Sequence, residues 1–564
     1  MRLVDYVMKF LENNGVEASF VLTGNGAMYI NDAIAKCKKI KYFTARHEAA
    51  APMMAESYSR ITNKPSMVCV TSGPGATNTV SGLAEAWVDS GKVIVLSGQA
   101  PTDQIPNKKI RSFGTAGIDI VPIVKPITKY AVTVKDPDDI RFHLEKAFYL
   151  MNSGRPGPVW IDLPMDVQYA EINPKKLKGF KLNLEQKKNI DLFKIDYLYD
   201  QLKHSKKPLF LIGHGVRQGG AIALLKKLLV KLKVPFAFSR LAQDFFPYSM
   251  EGNMGQVGRR GQRYSKRLLN EADLVISVGC RLSVPLAGSN LQHFNLNAFI
   301  AMVDVDQEEL ANNDGRLNLS INCDVKLFLK AFEKKINLIS SSSWDSWIAS
   351  CNKLKKSYPM FDIKEMQSKD PIDLYYFMSK LDFFAKKDSI MITDAGSNYY
   401  VGGQVFKFES GQREITSGAY AAMGLTIPLS IGAAIASKGS TVLAVTGDGS
   451  LELNVQDLKT ISYYNFNIKL FVINNGGYVS MRNWQDNFFD GRRIGSDSET
   501  GAEMLNLRKV AEAFDIKYQL IKDPNNIDED LKSLIKQKGA FFIEVITDPN
   551  QKIVQPYEEN LLSS

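Results

Sequence analysis

The chain has 564 residues but few of the side chains that build disulfide frameworks or metal clusters. Its five cysteines are far apart and form no C-x-x-C pair, which argues against a disulfide framework and a structural zinc site and favours a reducing cytoplasm. Only five histidines are present, and we find no Ser-His-Asp or Cys-His arrangement. The sequence therefore does not indicate catalysis by a side-chain nucleophile.

Long apolar runs and concentrated charge are also missing. No stretch approaches 18 uninterrupted apolar residues, so we expect no membrane span. The opening "MRLVDYVMKFLENNGVEASF" has helical apolar spacing interrupted by charges, which is not typical of a signal peptide. The formal net charge is +10, but the lysines are scattered and form no basic stripe with aromatic residues. We therefore expect no nucleic-acid partner.

What the chain does contain is a repeated alternation of short β-rich runs with longer amphipathic stretches. This pattern is typical of doubly wound parallel sheets, and the length allows roughly three domains. We predict three α/β domains at residues 1–170, 190–335 and 370–550, joined by a lysine-rich linker and a serine-rich connector. "PSMVCVTSGPGATN" and "STVLAVTGDGSLELN" both indicate strand, glycine turn and helix, so the first and third domains are predicted to be related.

An acidic residue between two glycines stands out in the third domain. Asp448 follows the apolar run "TVLAV", and a predicted helix then leads to a second strand, "IKLFVINNGG", which ends at Asn475. A right-handed crossover places the carboxyl ends of two such strands at the same sheet edge. The carboxylate, the amide and a backbone carbonyl would form a partial oxygen shell, which Mg²⁺ completes with phosphate oxygens and water. The sequence therefore predicts a magnesium site that holds a diphosphate, with glycines allowing close approach of the backbone.

"GDGSLELN…VINN" resembles the thiamine diphosphate-binding motif, and the resemblance extends along nearly the whole chain. "ARHEAAAPMMAESYSR", "VTSGPGATN", "SGRPGPVWIDLP", "TSGAYAAMGLTIPLSIGAAIA" and "RNWQ" resemble, in order and spacing, the acetolactate (acetohydroxyacid) synthase large-subunit family. The resemblance implies a thiamine diphosphate-binding fold with thiamine diphosphate and Mg²⁺ as cofactors. It also implies decarboxylation of a 2-keto acid such as pyruvate, followed by transfer of the two-carbon unit to a second carbonyl compound.

The resemblance also assigns the residues of the cofactor site. Glu48 in "RHEAAA" matches the glutamate that hydrogen-bonds the aminopyrimidine ring, and Met423 matches the residue that props the cofactor in a bent shape. The family's glutamate and metal site meet across a subunit interface, which implies a homodimer or homotetramer, and a regulatory small subunit is a further expected partner. The implied metal ligands are Asp448, Asn475 and the Gly477 carbonyl, and the implied diphosphate contacts are Gly396, Ser397, Asn398, Gly447, Gly449 and Ser450.

The middle domain resembles the FAD-binding domain of the same family. FAD takes no part in net redox chemistry there. An isolated G-x-G is weak support, and the alternative is a Rossmann-like domain that binds nothing. The residues that match the flavin site are Arg155, Gly213, Gly215, Gly279, Arg281 and Asp304.

Two departures from the family concern the substrate. Where the family has Phe-Gln-Glu this chain has Thr115-Ala116-Gly117, and Met165 replaces a lysine. A buried substrate carboxylate needs polar partners, so one alternative is a larger acceptor such as a nucleotide-linked keto-sugar, and another is a simple 2-keto-acid decarboxylase. A third alternative is a non-catalytic regulator that binds the cofactor. The presence of Glu48, Asp448 and Asn475 argues against it. The implied substrate pocket comprises Gly26, Ala27, Ala116, Met165, Met481 and Trp484.

Overall fold

Three parallel sheets organise the chain. The computed structural model describes residues 1–106, 109–181, 190–288, 295, 297–313, 315–336 and 344–555. Over these residues there are three six-stranded sheets with flanking helices, and every pair of neighbouring strands is parallel. This confirms the predicted fold class. No helix in the described ranges is long and apolar enough to cross a membrane.

The first sheet has the strand order β2-β1-β3-β4-β6-β5. Its central strands β3 and β4 are buried along their whole length, as expected for parallel strands covered by helices on both faces. The strands are β1 (Ala18–Val21), β2 (Lys41–Thr44), β3 (Ser66–Val70), β4 (Val93–Gln99), β5 (Tyr130–Thr133) and β6 (Val159–Pro164). The helices are α1 (Leu3–Asn13), α2 (Met28–Lys36), α3 (Ala50–Thr62), α4 (Pro74–Asn78), α5 (Val80–Val88), α6 (Val121–Val124), α7 (Ile140–Asn152) and α8 (Met165–Tyr169).

The middle sheet has a different order, β12-β11-β10-β7-β8-β9. The segment that we predicted as a serine-rich connector contains helix α16, which buries Trp347, Cys351 and Leu354 in the core of this sheet. The strands are β7 (Pro208–Ile212), β8 (Phe236–Phe238), β9 (Asn253–Gln256), β10 (Leu274–Val278), β11 (Phe299–Asp304) and β12 (Leu319–Asn322). The helices are α9 (Leu192–His204), α10 (Gly215–Gln218), α11 (Ile222–Leu232), α12 (Ser265–Glu271), α13 (Val284–Ala287), α14 (Gln307–Ala311), α15 (Val325–Ile336) and α16 (Asp345–Ser357).

The third sheet repeats the topology of the first. Its order, β14-β13-β15-β16-β18-β17, follows the same sequence of crossovers, which supports the predicted relationship between the outer domains. The strands are β13 (Ile390–Thr393), β14 (Arg413–Ile415), β15 (Val442–Gly447), β16 (Ile468–Asn474), β17 (Lys517–Ile521) and β18 (Phe541–Ile546). The helices are α17 (Ile363–Gln367), α18 (Leu374–Phe384), α19 (Gly396–Val405), α20 (Thr426–Ser437), α21 (Asp448–Leu451), α22 (Leu458–Tyr464), α23 (Val479–Phe488), α24 (Leu507–Ala513) and α25 (Ile527–Lys536).

The two outer domains pack directly on each other through α3 and α20. A Cβ added to Gly432 would lie 2.1 Å from the Met54 carbonyl oxygen, so only glycine permits this approach of the two helices. The buried Ser57 hydroxyl donates to the Leu429 carbonyl at 2.7 Å. Side chains from both domains share one hydrophobic cluster. The loops of the first domain are therefore held in a fixed position relative to the third.

Candidate functional site

Asp448 lies where two neighbouring strands end. Gly447, the last residue of β15, pairs with Ile473 of β16, so the turns after these strands lie side by side. The Asp448 Oδ2 atom accepts hydrogen bonds from the backbone N–H groups of Asn475 at 3.1 Å and Gly477 at 3.0 Å. Burial raises the pKa of the Asp448 carboxyl, and these N–H groups oppose the rise. The three predicted metal ligands are thus brought together at one sheet edge.

The helix predicted after Asp448 is interrupted in the structure. Helix α21 starts at Asp448 itself, and the chain is kinked at Asn454, where φ is −139° and ψ is 29°, before α22 begins. The Asn454 amide donates to the Gly424 carbonyl at 2.9 Å. The kink therefore ties this segment to the loop that carries Met423.

Glycines beside Asp448 divide into two kinds. A Cβ added to Gly449 would lie 2.4 Å from the Tyr478 ring, so packing within the chain requires glycine there. A Cβ on Gly447 would meet nothing within 4 Å, and the nearest atom to one on Gly396 is 3.7 Å away. Among the described residues, no atom comes within 4 Å of this position at Gly447, and those beside Gly396 are no closer than ordinary van der Waals contact. This open space fits a cradle for a diphosphate.

The two kinds of glycine should respond differently to alanine. Gly447→Ala, at an ordinary φ of −82°, is expected to change the free energy of unfolding of the cofactor-free protein by less than about 0.5 kcal/mol. It should nevertheless weaken thiamine diphosphate binding, because its methyl group would occupy the diphosphate space. Gly449→Ala is expected to destabilise the protein by about 1–3 kcal/mol through overpacking. Urea unfolding and cofactor titration test both, and unchanged cofactor affinity in Gly447→Ala would contradict this assignment.

A buried aspartate that we did not predict organises the diphosphate residues. Asp394 follows β13, and its Oδ2 atom accepts from the Thr446 hydroxyl at 2.9 Å and the Ser450 hydroxyl at 2.5 Å. Its Oδ1 atom accepts from the Asn398 amide at 3.0 Å. Ser450 Oγ in turn accepts from the Gly424 N–H at 2.8 Å. The carboxylate therefore joins the ends of two strands to the loop that carries Met423, and the only sequence signal was its position at a strand end.

The remaining cofactor candidates differ in exposure. Met423 is 37% exposed, in a loop where Ala421 has a φ of +52°. Ser397 is buried in the first turn of α19. The Gly418 N–H donates to the buried Asp89 carboxylate of the first domain at 2.7 Å, which anchors the other end of the Met423 loop. Met423 is thus an exposed side chain on an anchored loop.

Glu48 is half-buried in the loop between β2 and α3. Its Oε2 atom accepts from the Asn78 amide at 3.1 Å, and a Cβ on Gly75 would lie 3.5 Å from Oε1. The glutamate therefore faces the "TSGPGATN" turn. Among the described residues no hydrogen bond or ion pair links Glu48 to Asp448, so a single chain does not bring these two groups into contact.

Hydrogen bonds join the loop that carries Glu48, and the strand before it, to the third domain. The Arg46 N–H donates to Asp457 Oδ1 at 3.0 Å, and the Thr460 hydroxyl donates to the Thr44 carbonyl at 3.2 Å. Burial raises the pKa of Asp457 to about 6. Asp457 is a second residue that we did not predict, since its partner is a backbone N–H that lies 411 positions away.

The predicted substrate residues fall into two groups. Gly26 and Ala27 are buried, and the Gly26 N–H donates to Thr71 Oγ1 at 2.9 Å. A Cβ on Gly73 would lie 2.8 Å from the Ala116 carbonyl oxygen, so the Ala116 segment rests on the same turn, and Met165 begins α8 directly after β6. These four lie at the carboxyl edge of the first sheet. The second group, Met481 and Trp484, is exposed on α23 of the third domain.

A cavity of about 600 Å³ lies where the three domains meet. Arg155 on its wall donates to Glu309 Oε1 at 2.9 Å and to the Val88 carbonyl at 3.0 Å, so its guanidinium bridges the first and middle domains. Burial raises the pKa of Asp304, also on the wall, to about 6. The cavity is lined by five of the six predicted flavin residues and by one predicted substrate residue: Arg155, Gly215, Gly279, Arg281, Asp304 and Trp484.

Gly213 is the flavin candidate that does not line this cavity. A Cβ there would lie 2.2 Å from the Gly279 carbonyl oxygen, and one on Gly215 would lie 2.9 Å from the Gly279 Cα. The turns after β7 and β10 therefore touch backbone to backbone. The G-x-G pattern has a packing reason that is independent of any nucleotide.

Comparison with known proteins matches all three domains. The N-terminal TPP binding domain of thiamine pyrophosphate enzymes matches residues 1–121, the central domain of these enzymes matches residues 195–332, and their C-terminal TPP binding domain matches residues 394–545. Each match covers strands of one of the three sheets described above. The regions around Glu48 and Asp448 lie in the two TPP binding domains.

The relatives that match over nearly the whole chain are acetolactate synthases. The acetolactate synthase large subunit of Lactococcus lactis is 31% identical over 552 residues, covering 97% of this chain and 93% of the relative. The probable acetolactate synthase large subunit of Methanococcus aeolicus is 32% identical over 577 residues, covering 98% and 93%. The chloroplastic acetolactate synthase 2 of Nicotiana tabacum is 30% identical over 571 residues, covering 98% and 83%. The chain therefore belongs to the acetolactate synthase large-subunit family of thiamine pyrophosphate-dependent enzymes.

Proposed function

We propose that the protein is a thiamine diphosphate-dependent carboligase of the acetolactate synthase type. It would decarboxylate a 2-keto acid such as pyruvate and transfer the two-carbon unit to a second carbonyl compound. The observation that carries the proposal is the meeting of Asp448, Asn475 and Gly477 beside glycines that face open space. Thiamine diphosphate, when bound, supplies the nucleophilic carbon and the electron sink for this chemistry.

The donor set fits Mg²⁺. One carboxylate, one amide oxygen and the Gly477 carbonyl are hard oxygen ligands, and the remaining positions would be taken by diphosphate oxygens and water. No group of three or more His, Cys, Asp or Glu side chains suited to a metal occurs among the described residues. A site that relies on the diphosphate for part of its coordination shell is consistent with that finding.

Glu48 would act on the aminopyrimidine end of the cofactor by holding a proton with its carboxyl group. The Asn78 amide orients that carboxyl. Because Glu48 and Asp448 of one chain are not in contact, we propose that a second copy of the chain supplies Glu48 to each site. Met423 and Met481, both exposed in the single chain, would be covered in such a dimer. Higher assembly to a tetramer, a small regulatory subunit and a cytoplasmic location are further parts of this proposal.

We propose FAD as the occupant of the cavity between the domains. A volume of about 600 Å³ is within the range of small-molecule and cofactor sites. Five arginines of the wall would bind the diphosphate of FAD: Arg155, Arg240, Arg259, Arg260 and Arg281. Three aromatic side chains of the wall would pack on its ring systems: Tyr399, Tyr400 and Trp484. The absorption spectrum of the purified protein tests this part of the proposal directly.

The acceptor is the part of the proposal that departs from the family. Ala116 has a φ of +53°, and its short side chain cannot hydrogen-bond a substrate carboxylate as the family's glutamine can. Met165 likewise offers no charge at the first turn of α8. We therefore expect 2-keto acids to serve as donors and a larger carbonyl compound, such as a nucleotide-linked keto-sugar, to compete as acceptor.

Product analysis by mass spectrometry distinguishes the acceptors. The protein would be given thiamine diphosphate, Mg²⁺, FAD and pyruvate, with and without 2-ketobutyrate or a nucleotide-linked keto-sugar. Ligation to the keto-sugar is the expected result. Acetohydroxyacids formed at an ordinary rate from the keto acids alone would contradict the altered acceptor and leave the carboligase proposal standing. Acetaldehyde without any ligation product would favour a simple decarboxylase.

A further inference from the structure

A buried arginine that is not among the predicted site residues contacts the Asn475–Gly477 loop. Arg482 lies on α23 in the motif "RNWQ", and its residue is only 6% exposed. Its guanidinium donates to the backbone carbonyls of Asn475 at 2.8 Å and Gly476 at 2.7 Å. It also donates to the carbonyls of Ser496 at 3.2 Å and Pro549 at 3.0 Å. Four carbonyls from three separate segments therefore converge on one buried cation.

Two of these carbonyls belong to the loop that carries the proposed metal ligands. In this loop Gly476 and Gly477 have φ values of +70° and +117°, which only glycine adopts without strain. A loop with two such residues has many conformations available, so something must select one. A Cβ on Gly477 would lie 3.2 Å from Arg482 Nη1, which shows that the guanidinium rests against this residue. Two side chains thus hold the loop through its backbone. Arg482 donates to its carbonyl groups, and the Asp448 carboxylate accepts from its N–H groups.

The charge of Arg482 is not neutralised by a contacting carboxylate. No ion pair to Arg482 occurs within the described part of the chain, although the carboxylates of Asp497, Asp448 and Asp486 are near enough to act on its charge. A buried cation is costly unless dipoles and negative groups compensate it, and the four carbonyls and the nearby aspartates do so here.

We propose that Arg482 is a positioning residue that fixes the Asn475–Gly477 loop in the shape that binds Mg²⁺. This inference rests on the proposed function. It predicts that metal affinity depends on a side chain that touches neither the metal nor the cofactor. Outer partners of metal ligands typically change metal affinity by about 10–100-fold when they are lost.

The test uses Mn²⁺ as a paramagnetic probe, followed by electron paramagnetic resonance in the presence of thiamine diphosphate. Arg482→Gln is expected to weaken Mn²⁺ binding by about 10–100-fold, and Arg482→Lys, which keeps the charge but reaches fewer carbonyls, by less. Arg493→Gln is the matched control, because Arg493 pairs at the surface with Asp486 and Asp497 of the same region. It should bind Mn²⁺ like the wild type.

A second readout needs no cofactor. Amide hydrogen exchange in the peptide that spans residues 475–482 of the cofactor-free protein is expected to be faster in both Arg482 variants and unchanged in Arg493→Gln. If Arg482→Gln does not fold, Arg482→Lys carries the test. Wild-type protein that fails to bind Mn²⁺ with the cofactor would overturn the proposed function itself. Normal Mn²⁺ affinity in the folded Arg482 variants, or lost affinity with unchanged loop exchange, would overturn the positioning role and leave the proposed function intact.

Discussion

Glu48→Gln is expected to lower turnover by roughly 10²–10⁴-fold while leaving thiamine diphosphate binding nearly unchanged. Glutamine keeps the size of the side chain, and its carbonyl oxygen can still accept from the Asn78 amide. It has no ionisable carboxyl group, so it cannot hold the proton at the aminopyrimidine ring. The half-buried loop position carries no other described hydrogen bond to the Glu48 side chain, so the fold should be unaffected.

The measurement is CO₂ release from pyruvate together with cofactor titration on the same protein. Glu17→Gln provides the control, because Glu17 forms an exposed ion pair with Lys64 in the same domain. It should match the wild type in both assays. Turnover in Glu48→Gln within a few-fold of the wild type would contradict the role assigned to this residue. Loss of cofactor binding with the turnover would show a structural role instead.

Asp448→Asn is expected to abolish metal-dependent cofactor binding. The substitution removes the negative charge, and the new NH₂ group cannot be placed well on either side. On the Oδ2 side it would face the N–H groups of Asn475 and Gly477, and on the Oδ1 side it would face the N–H of Gly449. Donor would oppose donor in a buried site, which costs about 1–3 kcal/mol for each group left unsatisfied.

We expect Mg²⁺ and thiamine diphosphate affinity in this variant to fall by more than the roughly 10–100-fold typical of losing an outer partner. Isothermal titration with both ligands measures the loss, and urea unfolding measures the accompanying destabilisation. Asp490→Asn is the control, since Asp490 is exposed and pairs only with Arg492 among the described ion pairs. Retained metal-dependent binding in Asp448→Asn would place the metal elsewhere.

Local sequence patterns were sufficient to predict the parallel sheets and the proximity of Asp448 and Asn475. Strand, glycine turn and helix recur before Asp448, and the parallel pairing of β15 with β16 then brings Asn475 beside it. The strand orders could not be predicted, because they depend on how distant segments pair. The shared order of the outer sheets became visible only in the structure.

The residues that we missed share a physical reason. Asp394 and Asp457 act through hydrogen bonds to hydroxyls or N–H groups on segments far away in the sequence. Arg482 donates to carbonyls that lie between 6 and 67 positions away. Such partners leave no spacing rule along the chain. Gly213 shows that a sequence motif can also suggest a ligand contact that is not needed to explain it. This glycine matches a nucleotide-binding motif, yet its close contact with Gly279 is sufficient to explain why glycine occurs there.

The central claim is that Glu48 and the Asp448 site together activate thiamine diphosphate. The most direct measurement is the rate at which the C2 proton of the cofactor exchanges with deuterium when Mg²⁺ and the wild-type protein are present, because this rate is independent of the acceptor. We predict a strong acceleration over the free cofactor in wild type and its loss in Glu48→Gln. An exchange rate in the wild type equal to that of the free cofactor would contradict the account.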